Sequence, residues 1–184
     1  MATAINSKKK GSRNERNLAK VFKDWTGYEF ARTPGSGGLR WKRRDDVVGD
    51  ITCTEQGHNF PFSIETKFYR DINFEHLVLS PKNIKLIKFW EQACSDALRA
   101  KKTPMLLVRY NGMAKTQYFA IIPKEIYLAI QDSYDLNTPA LQYITTNANH
   151  QFVIMQSITL FQLDYIDVKK IARRYNKTHY PHEG

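Results

Sequence analysis

Apolar residues recur at helical spacing in the first part of the chain: Leu18, Val21, Phe22 and Trp25 fall on one stripe, the signature of an amphipathic helix. Ser12 is a good N-cap and Gly27 a stop, so the first helix is expected over about 12–25. "YEFAR" (28–32) reads as a strand, and "TPGSGGLRWKRRDD" (33–46) as a loop too polar to be core. The period then changes. Residues 47–54 and 60–68 read as two strands joined through "EQGHN", which predicts a hairpin. Ser80-Pro81 supplies a cap followed by proline at the first helical position. The helix it opens is expected to run to about Ala100, with Ile84, Ile87, Trp90, Cys94, Ala97 and Leu98 facing inward. "PMLLVRY" (104–110) is almost continuously apolar, as a strand buried on both faces should be. Asn111-Gly112 turns it into a second hairpin with 116–122; a short helix (123–130), a strand (151–155) and a basic terminal helix (167–176) follow. This order predicts an α/β fold, a sandwich with a central mixed β-sheet flanked by helices. There is no internal repeat and no dividing linker. The expected organisation is a basic flexible tail at 1–11, one folded domain over 12–166 with its core in 12–125, and a basic C-terminal helix and tail at 167–184.

A length of 184 residues, 42% of them hydrophobic and 25% charged, suits one soluble domain with a real core and argues against disorder. No apolar run approaches the ~20 residues of a membrane span. The N-terminus lacks the apolar region of a signal peptide, so a cytoplasmic protein is expected. Cys53 and Cys94 belong to no CxxC pair and read as reduced, buried thiols rather than metal ligands. His179 and His182, in "HYPH", read as part of a disordered tail.

Charge changes the picture more. Residues 1–44 carry twelve Lys and Arg against Glu15, Asp24 and Glu29, nearly all of the chain's net +10. A basic half of this kind points to a polyanion, most simply nucleic acid, docking on the N-terminal side; the alternative is a solvated basic surface.

Against that background the carboxylates of the predicted hairpin need a reason. Alternation along 60–68 puts Phe62, Ile64 and Thr66 on one face and Ser63, Glu65 and Lys67 on the other. Glu65 and Lys67 then project together, about 7 Å apart. In the paired strand Asp50 interrupts an apolar run and can stand beside Glu65. Two carboxylates that close repel, and a hard cation such as Mg²⁺ or Mn²⁺ relieves the repulsion. Glu15 extends the inward stripe of the first helix and can bring a third carboxylate; alternatively, Ser12-x-x-Glu15 is a capping box. For Glu65 and Lys67 the plain alternative is a surface ion pair.

These residues resemble the PD-(D/E)XK nuclease superfamily, and within it the archaeal-type Holliday-junction resolvases, including phage-borne versions. The likeness covers about 11–125: "GSRNERNLAKVF" with Glu15, "RTPGSGG", "GDI" with Asp50, and "IETK" with Glu65 and Lys67. It implies a restriction-endonuclease-like fold and a Mg²⁺-dependent endodeoxyribonuclease, with Mn²⁺ as a substitute, that resolves four-way junctions. By that resemblance Glu15, Asp50, Glu65 and the Thr66 backbone carbonyl bind metal, Lys67 assists the attacking water, and Ser36 contributes to catalysis, unless it is only a turn residue. Arg13, Arg16, Arg32, Arg40, Lys42, Arg43 and Arg44 are expected to bind DNA; Trp41 either joins them or packs on its own domain. The implied partners are branched or double-stranded DNA and a second copy in a homodimer, in the cytoplasm of a bacterial, archaeal or phage-infected cell, with no membrane. The alternatives are a PD-(D/E)XK endonuclease for linear, flapped or single-stranded DNA and a non-catalytic binder. Gly49 stands where the superfamily usually has Pro, and residues past 130 have no counterpart in the short resolvases.

Overall fold

The computed structural model describes residues 7–33, 49–70, 72–74, 76–79, 85–136, 138–144 and 151–181. At its centre lies β4 (Thr103–Tyr110), buried along its length up to Tyr110. That is where a strand with no polar alternation belongs, since both its faces are covered. β3 (Phe62–Tyr69) runs parallel to it, Glu65 opposite Leu106 and Thr66 opposite Leu107. A parallel neighbour needs a crossover, which α2 (His76–Leu79) and α3 (Lys85–Ala100) provide.

The remaining pairs are antiparallel. β1 (Phe30–Arg32) pairs with β2 (Ile51–Cys53), which pairs with β3. On the other side come β5 (Phe119–Pro123), β7 (Gln151–Gln156) and β6 (Ala140–Ile144), giving the order β1-β2-β3-β4-β5-β7-β6. One face of this mixed sheet packs against α1 (Ser7–Thr26), α4 (Lys124–Gln131), α5 (Ser157–Phe161) and α6 (Tyr165–His179). The other face lies under α2 and α3. The arrangement is the expected restriction-endonuclease-like α/β sandwich.

Several expectations change in detail. α1 begins at Ser7 rather than Ser12, so 7–11 belong to the helix and not to a tail. Ser12 therefore lies inside the helix, and the capping-box reading of Ser12 and Glu15 fails. The inward face of α3 is Leu86, Trp90, Ala93 and Ala97. Leu98 lies about 100° further round the helix and is 62% exposed. Tyr28 is not in β1; it stacks on His58 at 3.7 Å between ring centroids. His179 is the last residue of α6, 3.8 Å from Tyr175 ring to ring and 3.3 Å from Glu125, not part of a loose tail. Both cysteines are free, as expected, but each is half-buried rather than buried. Residues past 130 complete the same sheet: β6 and β7 extend it, and α6, capped by Asp164 Oδ1 accepting from the Ile166 amide at 2.7 Å, buries Val168 and Ala172 against it. Residues 47–48, 80–84 and His182, which entered the predicted elements and the tail, lie outside the described residues.

Candidate active site

The site forms where the β2–β3 ladder stops. Ile51 pairs with Ile64, and the Asp50 amide donates to the Ile64 carbonyl at 2.8 Å. That bond is one residue out of step with the Ile51–Ile64 register, as at a β-bulge, and it turns Asp50 so that its charge acts on Glu65. In place of a further backbone bond, Asp50 Oδ2 accepts from the Thr66 amide at 3.0 Å. A strand residue's amide and carbonyl lie on the same edge, so the Thr66 carbonyl faces Asp50 as well. Gly49 makes this possible: its φ is +80°, and a Cβ there would collide with the Ile64 carbonyl oxygen. Only a residue without a Cβ brings the chain that close in that conformation.

Glu65 projects toward α3, as the alternation of β3 requires. Its Oε1 accepts from Lys67 Nζ at 2.5 Å and from Gln92 Nε2, on α3, at 2.9 Å. Glu65 and Asp50 are both buried, 3% and 8% exposed. Burial pushes the Glu65 carboxyl up, the Asp50 charge adds to this, and Lys67 opposes both; the result is about 7 against an ordinary 4.5. Asp50 is raised too, by burial first, against the pull of the Thr66 amide and Lys67, with Glu15 and Asp96 adding repulsion. Burial alone would lower Lys67. Its hydrogen bond to Glu65 and the charges of Glu65 and Asp50 outweigh that and hold it above its ordinary value.

On the opposite face α1 is tied to the same strand. Asn14 Nδ2 donates to Thr66 Oγ1 at 2.9 Å, Thr66 Oγ1 donates to the Leu107 carbonyl at 3.0 Å, and the Tyr118 hydroxyl donates to Asn14 Oδ1 at 3.2 Å. The next residue, Glu15, is buried on the inward side as expected. Its carboxylate is ion-paired with Arg32 at the end of β1, and its field reaches Asp50. Among the described residues no group of three or more His, Cys, Asp and Glu side chains stands close enough to hold a metal ion.

The structure thus brings Asp50, Glu65, Lys67 and Thr66 together and draws Glu15 toward Arg32. Arg13 and Arg16 are exposed on α1, and Arg32 is spent on Glu15. Ser36, Arg40, Trp41, Lys42, Arg43 and Arg44 lie outside the described residues. Asn14, Gln92 and Asp96 escaped the sequence reading. Asn14 had a signal, a polar residue one turn before Leu18 on the inward stripe; Gln92 and Asp96, one turn apart beside the apolar face of α3, had none that separates them from solvated helix positions.

A pair of buried carboxylates, both raised by burial and one also by the other's charge, beside a backbone carbonyl is a donor set suited to a hard divalent cation. The adjoining ammonium can face an anionic substrate. No helix among the described residues is long and apolar enough to cross a membrane. The chain is 29% identical over 107 residues to Protein D14 of Escherichia phage T5, covering 58% of this chain and 66%, just under two thirds, of that relative. No solved structure matches it. The family model "Phage putative PDDEXK endonuclease" matches residues 6–173. That match spans the whole sheet, and with it the Asp50-Glu65-Lys67 arrangement has its family: the chain belongs to the phage PDDEXK endonucleases, nucleases of the PD-(D/E)XK superfamily.

Proposed function

We propose that this nuclease is a Mg²⁺-dependent, structure-selective DNA endonuclease that resolves four-way junctions by paired phosphodiester hydrolysis, acting as a homodimer in the cytoplasm of an infected cell. The observation that carries the catalytic reading is the buried Asp50–Glu65 pair, whose repulsion a cation would relieve, with Lys67 hydrogen-bonded to Glu65. Asp50, Glu65 and the Thr66 carbonyl would hold Mg²⁺ or Mn²⁺, and Glu15 would join them on leaving Arg32. Bound there, the cation supplies Lewis acidity and neutralises phosphate charge.

The chain's own residues do the rest. Gln92 fixes the Glu65 carboxylate from the α3 side. Lys67, held above its ordinary pKa, keeps its proton at neutral pH. It therefore acts as a fixed positive charge toward developing negative charge, not as a base. Arg13 and Arg16, with Arg40, Trp41, Lys42, Arg43 and Arg44 of the basic loop, bind the DNA backbone without reading sequence; Ser36 acts from the same loop. Junction preference follows from the resolvase resemblance, and symmetrical cutting of two strands calls for a two-fold dimer.

The test is a synthetic four-way junction with Mg²⁺, set against the same arms as linear duplex. Paired nicks in the junction, with the duplex spared and with cutting lost but binding kept in Glu65→Ala, are expected. Equal cutting of the duplex would identify an endonuclease for linear or flapped DNA instead. Binding without cutting by the unaltered protein would identify a non-catalytic binder.

A further inference from the structure

At the end of the sheet away from Asp50 and Glu65, α6 meets the β2–β3 turn. The lead-in to β1 reaches the same place. Tyr28 and His58 are stacked there, and His58 Nε2 lies 3.0 Å from the Tyr165 hydroxyl. Over these rings stands Lys169, its Nζ 5.9 Å from the centre of Tyr28 and 5.7 Å from that of Tyr165. Arg173, one turn further along α6, is exposed on the same side.

What marks these two cations is that they stand side by side next to the rings with no acidic partner between them. Lys23, Arg32, Lys67, Arg99 and Lys170 are each ion-paired with a carboxylate. Among the described residues Lys169 and Arg173 have no carboxylate within ion-pairing distance. They repel each other instead: burial and then the Arg173 charge hold the Lys169 ammonium below its ordinary pKa. The field extends to His58, which burial first, and then Lys169 and Arg173, hold below its ordinary value, with Glu55 opposing. Side chains kept in mutual repulsion over a platform of aromatic rings form a site whose missing component is an anion. Tyr165 is buried beneath, while Tyr28 and His58 are partly exposed; such rings next to cations suit a nucleotide, with phosphate on the cations and the sugar against Tyr28 and His58.

We propose that Lys169 and Arg173, on the platform of Tyr28, His58 and Tyr165, form a second DNA-backbone site that holds a part of the substrate remote from the scissile phosphate. The choice of DNA rests on the nuclease reading. The separation follows from the strand: five residues of extended chain divide Phe60, at the platform, from Glu65, about 17 Å. α1 gives a similar span, since its eleven residues from Glu15 to Thr26 rise about 17 Å. The two sites also belong to different layers, Glu65 facing α3 and the platform facing α1 and α6. A branched substrate offers a second arm to fill such a site.

The experiment measures equilibrium binding of a fluorescein-labelled four-way junction in EDTA, across a salt series, for the unaltered protein and for Lys169→Gln/Arg173→Gln. Lys124→Gln/Lys177→Gln, which removes the same charge elsewhere, is the control. Loss of two phosphate contacts should make the dependence of log affinity on log salt shallower by about 2, and the control should change it by less than half as much. An unchanged slope, or equal change in variant and control, overturns the proposal. Should the variant fail to fold, amine acetylation of the unaltered protein decides: DNA should shield Lys169 more than Lys177, and equal shielding overturns it. Binding in EDTA is independent of cutting, so a protein that never nicks would defeat the catalytic reading while leaving this test intact.

Discussion

Replacing Glu65 by Gln keeps the shape of the side chain and the oxygen that accepts from Lys67 and Gln92, but removes a charge from a residue only 3% exposed. The folded protein holds the Glu65 carboxyl at about 7, against 4.5 for an ordinary one. A carboxyl raised in this way binds its proton more tightly folded than unfolded. Its charge therefore opposes folding by an amount that is small at pH 4.5, grows toward pH 7 and is constant above. Integrated between about pH 5 and pH 8, the loss is about 2–3 kcal/mol. Because the Asp50 charge contributes to the shift, Gln at 65 also relieves Asp50, and the comparison reports on the pair. The assay is urea unfolding in EDTA at a series of pH values for both proteins. The unaltered protein should lose about 2–3 kcal/mol relative to the variant between those limits. Parallel curves, within about 0.5 kcal/mol, would show that the two carboxylates do not repel in a buried site, and the metal-binding argument would fall with them.

A divalent cation must displace the Glu65 proton. Mn²⁺ should therefore bind about 30-fold more weakly at pH 5.5 than at pH 8, seen as a smaller rise in melting temperature at the lower pH, and the difference should shrink in Glu65→Gln, where Asp50 is the remaining carboxyl of the pair to titrate. Thr66→Val keeps the volume of the side chain and the amide that holds Asp50, but leaves Asn14 Nδ2 and the Leu107 carbonyl without their bonds to Oγ1. It should lower stability by about 2 kcal/mol in urea unfolding, and a loss below about 0.5 kcal/mol would show that this link does not fasten α1 to β3.

How much of this was legible in the sequence depended on whether a signal was local. The alternation of Phe62 to Lys67 settled which side chains share a face, because a strand has only two faces. The unbroken apolar run 104–110 marked the centre of the sheet for the same reason. β6 had no such mark: "ALQYI" lies on a sheet edge, where one side of the strand is left without a neighbour, and neither alternation nor an apolar run singles it out. The short helices α2 and α5 depend on the elements around them more than on their own composition. The start of α1 was misplaced because Gly11 and Ser12 look like a boundary, while the helix continues through them to Ser7. At the candidate site, alternation along the strand was enough to put Glu65 and Lys67 on one face, and their hydrogen bond follows from it. The ion pair of Glu15 with Arg32 joins residues from α1 and β1, and the bond from Gln92 comes from an element two steps further along the chain; no period encodes either.

Gly49 has a consequence for exchanging parts between such nucleases. The proline usual at this position fixes φ near −65°, whereas the chain here turns through +80°. The two residues, though they precede the same aspartate, demand different backbone routes into β2. A chimera that imports the proline without its own approach loop would swing the carboxylate of Asp50 off the Thr66 amide, so the dipeptide and the loop leading to it form one transplantable unit.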